Sequence, residues 1–89
     1  MTGKDHIEKM LVLSTGHAPS SSPSFGPFRY LEDEEYNWAL FVKSVSIDDS
    51  SEIPLWLLPI WIYALKNSCS IILFDRDAIQ LDQFKLYDW

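Results

Sequence analysis

Carboxylates are the side chains of this sequence with the most capacity for chemistry. Its 89 residues include 13 Asp and Glu against 7 Lys and Arg, a formal net charge of −6. The excess lies within residues 30–52, whose acids are Glu32, Asp33, Glu34, Glu35, Asp48, Asp49 and Glu52, offset only by Lys43. Such acids either keep an aromatic-rich chain soluble or present an anionic surface to a basic partner. Direct nucleic-acid binding is not expected, because it needs clustered Lys and Arg.

A second acidic pattern follows an apolar run near the end of the chain. Ile71–Phe74 leads into Asp75-Arg76-Asp77, which resembles the opening motif of the haloacid dehalogenase phosphatases. That resemblance implies a nucleophilic Asp75 and an acid/base Asp77. Those enzymes need further catalytic residues on a much larger domain, and only 12 residues follow Asp77. We therefore expect a turn whose Asp side chains bond to local backbone amides.

A hydroxyl and an imidazole lie close together in Ser14-Thr15-Gly16-His17. A Ser–His pair is typical of nucleophilic catalysis, but the glycines and following helix of a nucleophile elbow are missing. We expect His17 to order the proline-rich loop by hydrogen bonding. A small hydrolase using His17 with Asp75 or Asp77 is the weakest functional hypothesis, and no catalytic residue is assigned.

Metal and cofactor sites have no recognisable pattern here. The two histidines and the single cysteine, Cys69, give no zinc spacing, and glycines at 3, 16 and 26 make no phosphate loop. We predict no metal and no cofactor. The longest apolar stretch, Leu55–Leu65, has 11 residues, where a membrane helix needs about 20. With no apolar signal core in Met1–Met10, we expect a cytoplasmic protein without membrane contact.

The elements that would position these residues follow from the apolar pattern. Strands are predicted at Met10–Thr15, Tyr36–Val45 and Ser70–Phe74, and one or two more within Ile79–Tyr87. Residues 18–27 are rich in Pro and Ser and predict a loop. Phe28–Tyr36 could form one or two helical turns, and Ile47–Glu52 an acidic turn.

Leu55–Leu65 predicts the main helix. Ser50 or Ser51 could cap it, and Pro59 predicts either a kink or a true start at that residue. Asn67 and Ser68 should end it. Because this segment is apolar all round, a second subunit or a partner could cover part of it, with Trp56 and Tyr63, or Trp61 and Leu57, as anchors.

These elements predict an α+β fold, a small mixed or antiparallel sheet with the main helix packed on one face. The chain is short enough for one domain. We assign residues 1–9 to a flexible N-terminal lead-in and 10–89 to the domain.

Several short blocks together resemble a known family. Leu11–His17, Ile53-Pro54, Phe74–Asp77 and the terminal Tyr87-Asp88-Trp89 are similar to a family of small bacterial proteins of unknown function, found on plasmids, integrative elements and prophages. The resemblance spans most of residues 10–89. It implies an accessory protein that acts on host machinery and no enzyme activity. By analogy, small acidic proteins of such elements include anti-CRISPR inhibitors that mimic DNA.

The leading functional hypothesis is thus a non-enzymatic inhibitor or interaction protein. Its seven acids in residues 30–52, with Tyr30 and Tyr36 adding contact area, would bind a basic nucleic-acid-binding protein or complex. An anti-CRISPR that blocks the DNA groove of a CRISPR effector complex in the host bacterial cell is the most concrete version. The alternative is a structural or regulatory homodimer joined through residues 55–65.

Overall fold

The computed structural model describes residues 8–20, 23–32 and 37–87. Four strands and one α-helix occur there: β1 (Met10–Leu13), β2 (Tyr30–Glu32), β3 (Trp38–Phe41), α1 (Leu58–Lys66) and β4 (Ile71–Phe74). Short 3-10 helices at Thr15–His17, Val42–Ser44 and Ile47–Glu52 connect them. Within these residues no helix is long and apolar enough to cross a membrane.

The strands form one mixed sheet in the order β1-β4-β3-β2. β1 runs parallel to β4, with Leu13 opposite Phe74. β3 is antiparallel to both of its neighbours, so that Trp38 lies opposite Phe74 on one side and Glu32 on the other. The predicted α+β fold, a small mixed sheet with one main helix, is confirmed.

The core lies between one sheet face and α1. Because side chains alternate across a strand, the buried residues of neighbouring strands form rows on this inner face, which consist of Leu13, Trp38, Leu40, Ile72 and Phe74. The helix adds Ile60, Trp61 and Ala64 to the same core. The indole N–H of Trp61 donates to the Val42 carbonyl at 3.1 Å, which ties the helix to the segment after β3.

The start of α1 follows from Pro59, which lies in its first turn, where the missing N–H costs no hydrogen bond. A helix beginning near this residue was one of the two predicted outcomes, and it is confirmed. The predicted cap at Ser50 or Ser51 is wrong. Leu57 is the N-cap and has no side-chain hydrogen bond. The reason is a separate 3-10 helix at Ile47–Glu52, which holds both serines away from the helix start.

Two other sequence predictions fail because long-range contacts decide the local structure. The helical turns predicted within Phe28–Tyr36 do not form in residues 28–32, the part of this segment that the structure describes, where Tyr30–Glu32 is instead β2 and pairs with β3. The strand predicted within Ile79–Tyr87 does not form, since its amides bond elsewhere: Tyr87 N–H donates to the Gly16 carbonyl at 2.8 Å and Phe84 N–H to the Leu81 carbonyl at 3.2 Å. The predicted strand Tyr36–Val45 is shorter, because Val42–Ser44 forms a 3-10 turn.

The loop before β2 depends on a glycine, Gly26, whose backbone has a positive φ and packs closely against residues 52–54. Gly26 has φ +59°, and a Cβ there would lie 2.7 Å from Pro54 Cδ and 3.0 Å from the Glu52 carbonyl oxygen. Gly16 offers a contrast, since a Cβ there would meet nothing closer than Ser14 Oγ at 3.3 Å.

We therefore predict that Gly26→Ala lowers the free energy of unfolding by about 1–3 kcal/mol, because it adds both backbone strain and a clash. Gly16→Ala, the matched control, should lower it by less than about 1 kcal/mol. Urea denaturation followed by tryptophan fluorescence measures both values. Equal losses in the two variants would contradict the tight packing of Gly26.

Candidate functional site

A surface hollow of about 230 Å³ brings one carboxylate together with aromatic rings. Its lining residues are Pro23, Phe25, Tyr30, Glu32 and Trp38. Tyr30 and Glu32 come from β2, Trp38 from β3, and Pro23 and Phe25 from the loop before β2. Two of these residues, Tyr30 and Glu32, are partner-binding candidates from the sequence, and the structure brings them to the same site.

Phe25 is the residue that builds the hollow. It is 4% exposed, and its ring centroid lies 4.7 Å from that of Tyr30 and 5.6 Å from that of Trp38. The indole N–H of Trp56 donates to the Ser24 carbonyl at 3.1 Å and so fixes the loop next to Phe25. The Tyr30 ring, by contrast, is 48% exposed and is available to a ligand.

The Glu32 carboxylate is held in a fixed position. Trp38 Nε1–H donates to its Oε1 at 2.8 Å, and because a carboxylate has about four acceptor positions, this bond orients the group without filling it. A carboxylate beside an exposed aromatic ring attracts a cation in two ways, through charge-assisted hydrogen bonds and through the π-face of the ring. The arrangement therefore fits the end of an Arg or Lys side chain.

A second group of carboxylates lies on the 3-10 helix Ile47–Glu52. Asp48, Asp49 and Glu52 are all exposed, and none forms an ion pair with a base in the described ranges. The Asp49 carboxylate accepts a hydrogen bond from Ser46 Oγ at 3.0 Å, which orients it near the start of the helix. We name Ile47–Glu52 the acidic 3-10 helix.

The same loop borders both groups of acids. Gly26 packs against the Glu52 carbonyl and Pro54, while the adjacent Phe25 packs against Tyr30 and Trp38. The hollow and the C-terminal end of the acidic 3-10 helix are thus neighbours across this loop. The remaining candidates, Asp33, Glu34, Glu35 and Tyr36, lie outside the described residues.

Asp75-Arg76-Asp77 forms a local turn, as predicted from the sequence. Asp75 Oδ1 accepts from the Asp77 backbone N–H at 2.9 Å, and the Asp75 N–H donates to the Leu13 carbonyl at 2.8 Å. The side chain of Asp75 therefore stabilises the turn that follows β4.

His17 is a buried structural residue, 1% exposed. The Leu81 N–H donates to its Nε2 at 3.0 Å, so Nδ1 carries the ring proton and donates to the Lys85 carbonyl at 2.9 Å. Both nitrogens are thus engaged with backbone. The predicted hydrogen-bonding role of His17 is confirmed, but the predicted partner, the proline-rich loop, is wrong. The His17 ring bonds instead to the backbone of Leu81 and Lys85.

The aromatic anchors predicted on the main helix are mostly covered. Trp61 and Leu57 are buried in the core. The Tyr63 ring packs edge-on against Phe84 at 5.5 Å, so the C-terminal segment held by His17 covers this side of α1. Trp56 packs against Phe25 and Phe74. Ile62 and Leu65 are the half-exposed apolar residues of the helix, at 41% and 39%.

Metal ligands do not converge in the described ranges, where no group of three or more His, Cys, Asp or Glu could hold a metal ion. A cleft of about 240 Å³ lies between α1 and the C-terminal segment, with Trp56, Ile60, Phe84 and Tyr87 among its lining residues. Its walls are mainly apolar, and its imidazole, His17, is already bonded on both nitrogens.

Comparison with known proteins gives a family and no activity. Residues 10–89 match the model described as "Family of unknown function (DUF5983) C-terminal domain". The chain belongs to this family. No curated protein and no solved structure matches the chain. The predicted resemblance to a family of unknown function is thereby confirmed, and the DUF5983 match includes β1 to β4, α1 and the hollow described above.

We predict that His17→Ala lowers the free energy of unfolding by about 2–4 kcal/mol, because it removes a buried ring with two hydrogen bonds and leaves the partly buried Leu81 N–H without its acceptor. Hydrogen exchange at the Leu81 amide should rise more than exchange at β4. Lys85→Ala is the matched control, because it keeps the carbonyl that Nδ1 contacts and removes only the cation–π contact of Lys85 Nζ with the Tyr87 ring, so it should change stability by less than about 1 kcal/mol. An unchanged Leu81 amide in His17→Ala would contradict the assigned role.

Proposed function

We propose that this DUF5983 domain is a non-enzymatic interaction protein that binds a basic partner through its acidic surface. The acidic surface comprises the hollow around Glu32 and the acidic 3-10 helix. Asp33, Glu34, Glu35 and Tyr36, which follow Glu32 in sequence, are further candidate contact residues and lie outside the described residues. The observation that carries the proposal is the hollow, in which a fixed carboxylate lies beside an exposed tyrosine ring.

Electrostatics favour a cationic partner over a neutral one. Residues 30–52 carry the net charge of the whole chain, and no base among the described residues pairs with Asp48, Asp49 or Glu52. Carboxylates whose charge no neighbouring base neutralises leave their potential directed into solvent, where it steers a positively charged groove toward them. Side-chain recognition in the hollow would then add specificity to this long-range attraction.

The partner we propose is a protein or complex that normally binds nucleic acid. Its groove offers spaced Lys and Arg residues that neutralise phosphates, and spaced carboxylates can occupy the same groups. An anti-CRISPR protein that mimics DNA and blocks a CRISPR effector complex in the bacterial cytoplasm is the most concrete form. The origin of similar proteins on mobile elements, implied by the resemblance of Leu11–His17 and Phe74–Asp77, supports this form.

Two observations favour binding over catalysis. Both ring nitrogens of His17 are bonded to backbone, which leaves no lone pair to act as a general base. The Asp75 carboxylate accepts from the Asp77 amide and thereby serves the turn. The hydrolase hypothesis therefore has less support than the interaction hypothesis.

The hollow can be tested with a hexa-arginine peptide as the probe and Glu32→Gln as the variant. The amide side chain of the variant keeps an oxygen that can accept from Trp38 Nε1 but removes the charge. We expect the peptide to shift the NMR signals of the Trp38 indole N–H and the Tyr30 amide, and the variant to bind about tenfold more weakly, the equivalent of one charge-assisted hydrogen bond. Equal binding by both proteins would refute the cation site.

The partner itself can be tested by tagged pull-down from bacterial lysate at about 50 and 500 mM salt, which differ several-fold in screening length. We expect a nucleic-acid-binding complex at low salt and its loss at high salt. Reversal of Glu32, Asp33, Glu34 and Glu35 to Lys should abolish capture, and the near-isosteric Asp48→Asn, Asp49→Asn, Glu52→Gln variant should weaken it. Undiminished capture by the reversed variant would rule out the acidic surface as the binding site.

A further inference from the structure

The outer face of the sheet, which points away from α1, consists of apolar side chains. Register places two rows there, Phe41–Ile71–Met10 and Leu31–Ala39–Leu73–Val12. Four of these residues are clearly exposed: Leu31 at 63%, Met10 at 45%, Val12 at 44% and Phe41 at 37%. We name these seven residues the outer sheet face.

An apolar outer face is unusual for a sheet covered on one side. The solvent side of such a sheet ordinarily carries polar residues, and parallel strand pairs such as β1 and β4 are ordinarily covered on both sides. Contiguous exposed apolar surface on a small domain commonly marks an interface. The alternation of more buried and less buried residues in β1, β3 and β4 thus separates two apolar faces, of which α1 covers one.

Phe41 lines two hollows at the outer sheet face. One hollow of about 330 Å³ lies beside it and is lined by Glu8, Lys43, Ser70 and Ile71 together with Phe41 itself. A second hollow of about 320 Å³ is lined by Arg29, Ser44 and Phe41. A half-exposed ring that borders two hollows can contact a hollow on a second copy of the same face.

The charges at the two edges are also complementary to each other. Glu8 precedes β1 at one edge of the sheet, where its carboxylate accepts a hydrogen bond from Ser70 Oγ. Arg29 precedes β2 at the opposite edge, where its carbonyl accepts from the Phe41 N–H at 3.0 Å. An acid at one edge and a base at the other is the arrangement that a two-fold axis converts into two ion pairs.

We propose that the outer sheet face binds a second copy of this chain, with the two sheets stacked about a two-fold axis that runs parallel to the strands. This operation places β2 of one copy over β1 of the other and β3 over β4. Phe41 then meets the hollow beside Ile71 of the second copy, and Arg29 meets Glu8. Every contact occurs twice, as an isologous interface requires.

The size of the face sets the strength of the dimer. Four strands at about 4.8 Å spacing and four residues at about 3.3 Å rise give a face of roughly 19 by 13 Å. This is smaller than the roughly 800 Å² per partner of a standard stable interface. The dimer is therefore weak, and we expect it to form only toward the upper end of the concentration range tested below. It does not depend on the proposed function, because none of the proposed acidic contact residues lies in these two rows.

Sedimentation velocity between about 10 μM and 1 mM tests the proposal. The parent chain should rise from its monomer mass of 10.3 kDa toward about twice that value, and Leu31→Glu should remain monomeric throughout. Leu55→Glu is the matched control, since Leu55 is 86% exposed and lies outside the face. A parent chain that stays monomeric up to 1 mM would overturn the proposal.

A charge exchange tests the orientation without disturbing the apolar residues. Glu8→Arg alone and Arg29→Glu alone each place like charges opposite each other twice, and each should weaken self-association at least about tenfold. An equimolar mixture of the two variants restores opposite charges at both positions and should associate as the parent does. A mixture that remains monomeric while the parent dimerises would refute the two-fold arrangement.

Discussion

The covering of one sheet face by one short helix is the constraint on which the rest of this structure depends. α1 has nine residues and is roughly 13 Å long, about the length of the strands below it. A helix of this size can bury only one face of a four-stranded sheet. The chain must therefore close the ends of its core with loops, and it leaves the outer sheet face to water or to another molecule.

Two long-range contacts complete the inner core where α1 ends. Phe25, from a loop without regular structure, packs against Trp38, Trp56 and Phe74. His17 holds the C-terminal segment, which places Phe84 against Tyr63. Both contacts also create surface features, since Phe25 forms the floor of the hollow around Glu32 and the C-terminal segment forms one wall of the apolar cleft. In this domain the same contacts bury the ends of the core and shape the hollow and the cleft at the surface.

An element can be predicted from the sequence when local residues determine it, and cannot be predicted when contacts distant in sequence determine it. β1, β4 and α1 are continuous apolar runs, and the sequence predicts them with small errors at their ends. β2 forms because β3 offers it a hydrogen-bonding edge, and no local pattern in Phe28–Tyr36 indicates this. The backbone partners of His17 are 64 and 68 residues away in sequence, so its role could not be predicted. Tyr30 and Glu32 could be named as candidate contact residues because they lie in the acidic, aromatic part of the sequence. Phe25 and Pro23 could not be predicted to line the same hollow, because they lie in a loop without periodicity.

The hollow around Glu32 and the outer sheet face lie on opposite sides of the sheet and respond differently to salt. Tyr30 and Glu32 belong to the inner-face register, while Leu31 belongs to the outer one, so stacking two outer faces leaves both hollows accessible. A basic partner is attracted by the acids, and salt weakens that attraction by screening it. Two copies of the chain each carry a net charge of −6, so salt screens both their mutual repulsion and the attraction between Arg29 and Glu8, while apolar burial is retained. Low ionic strength thus favours the complex with a basic partner, whereas the apolar contacts between two chains persist at high ionic strength. Because stacking would present two hollows on one particle, even a weak dimer gains avidity for a partner with repeated basic grooves.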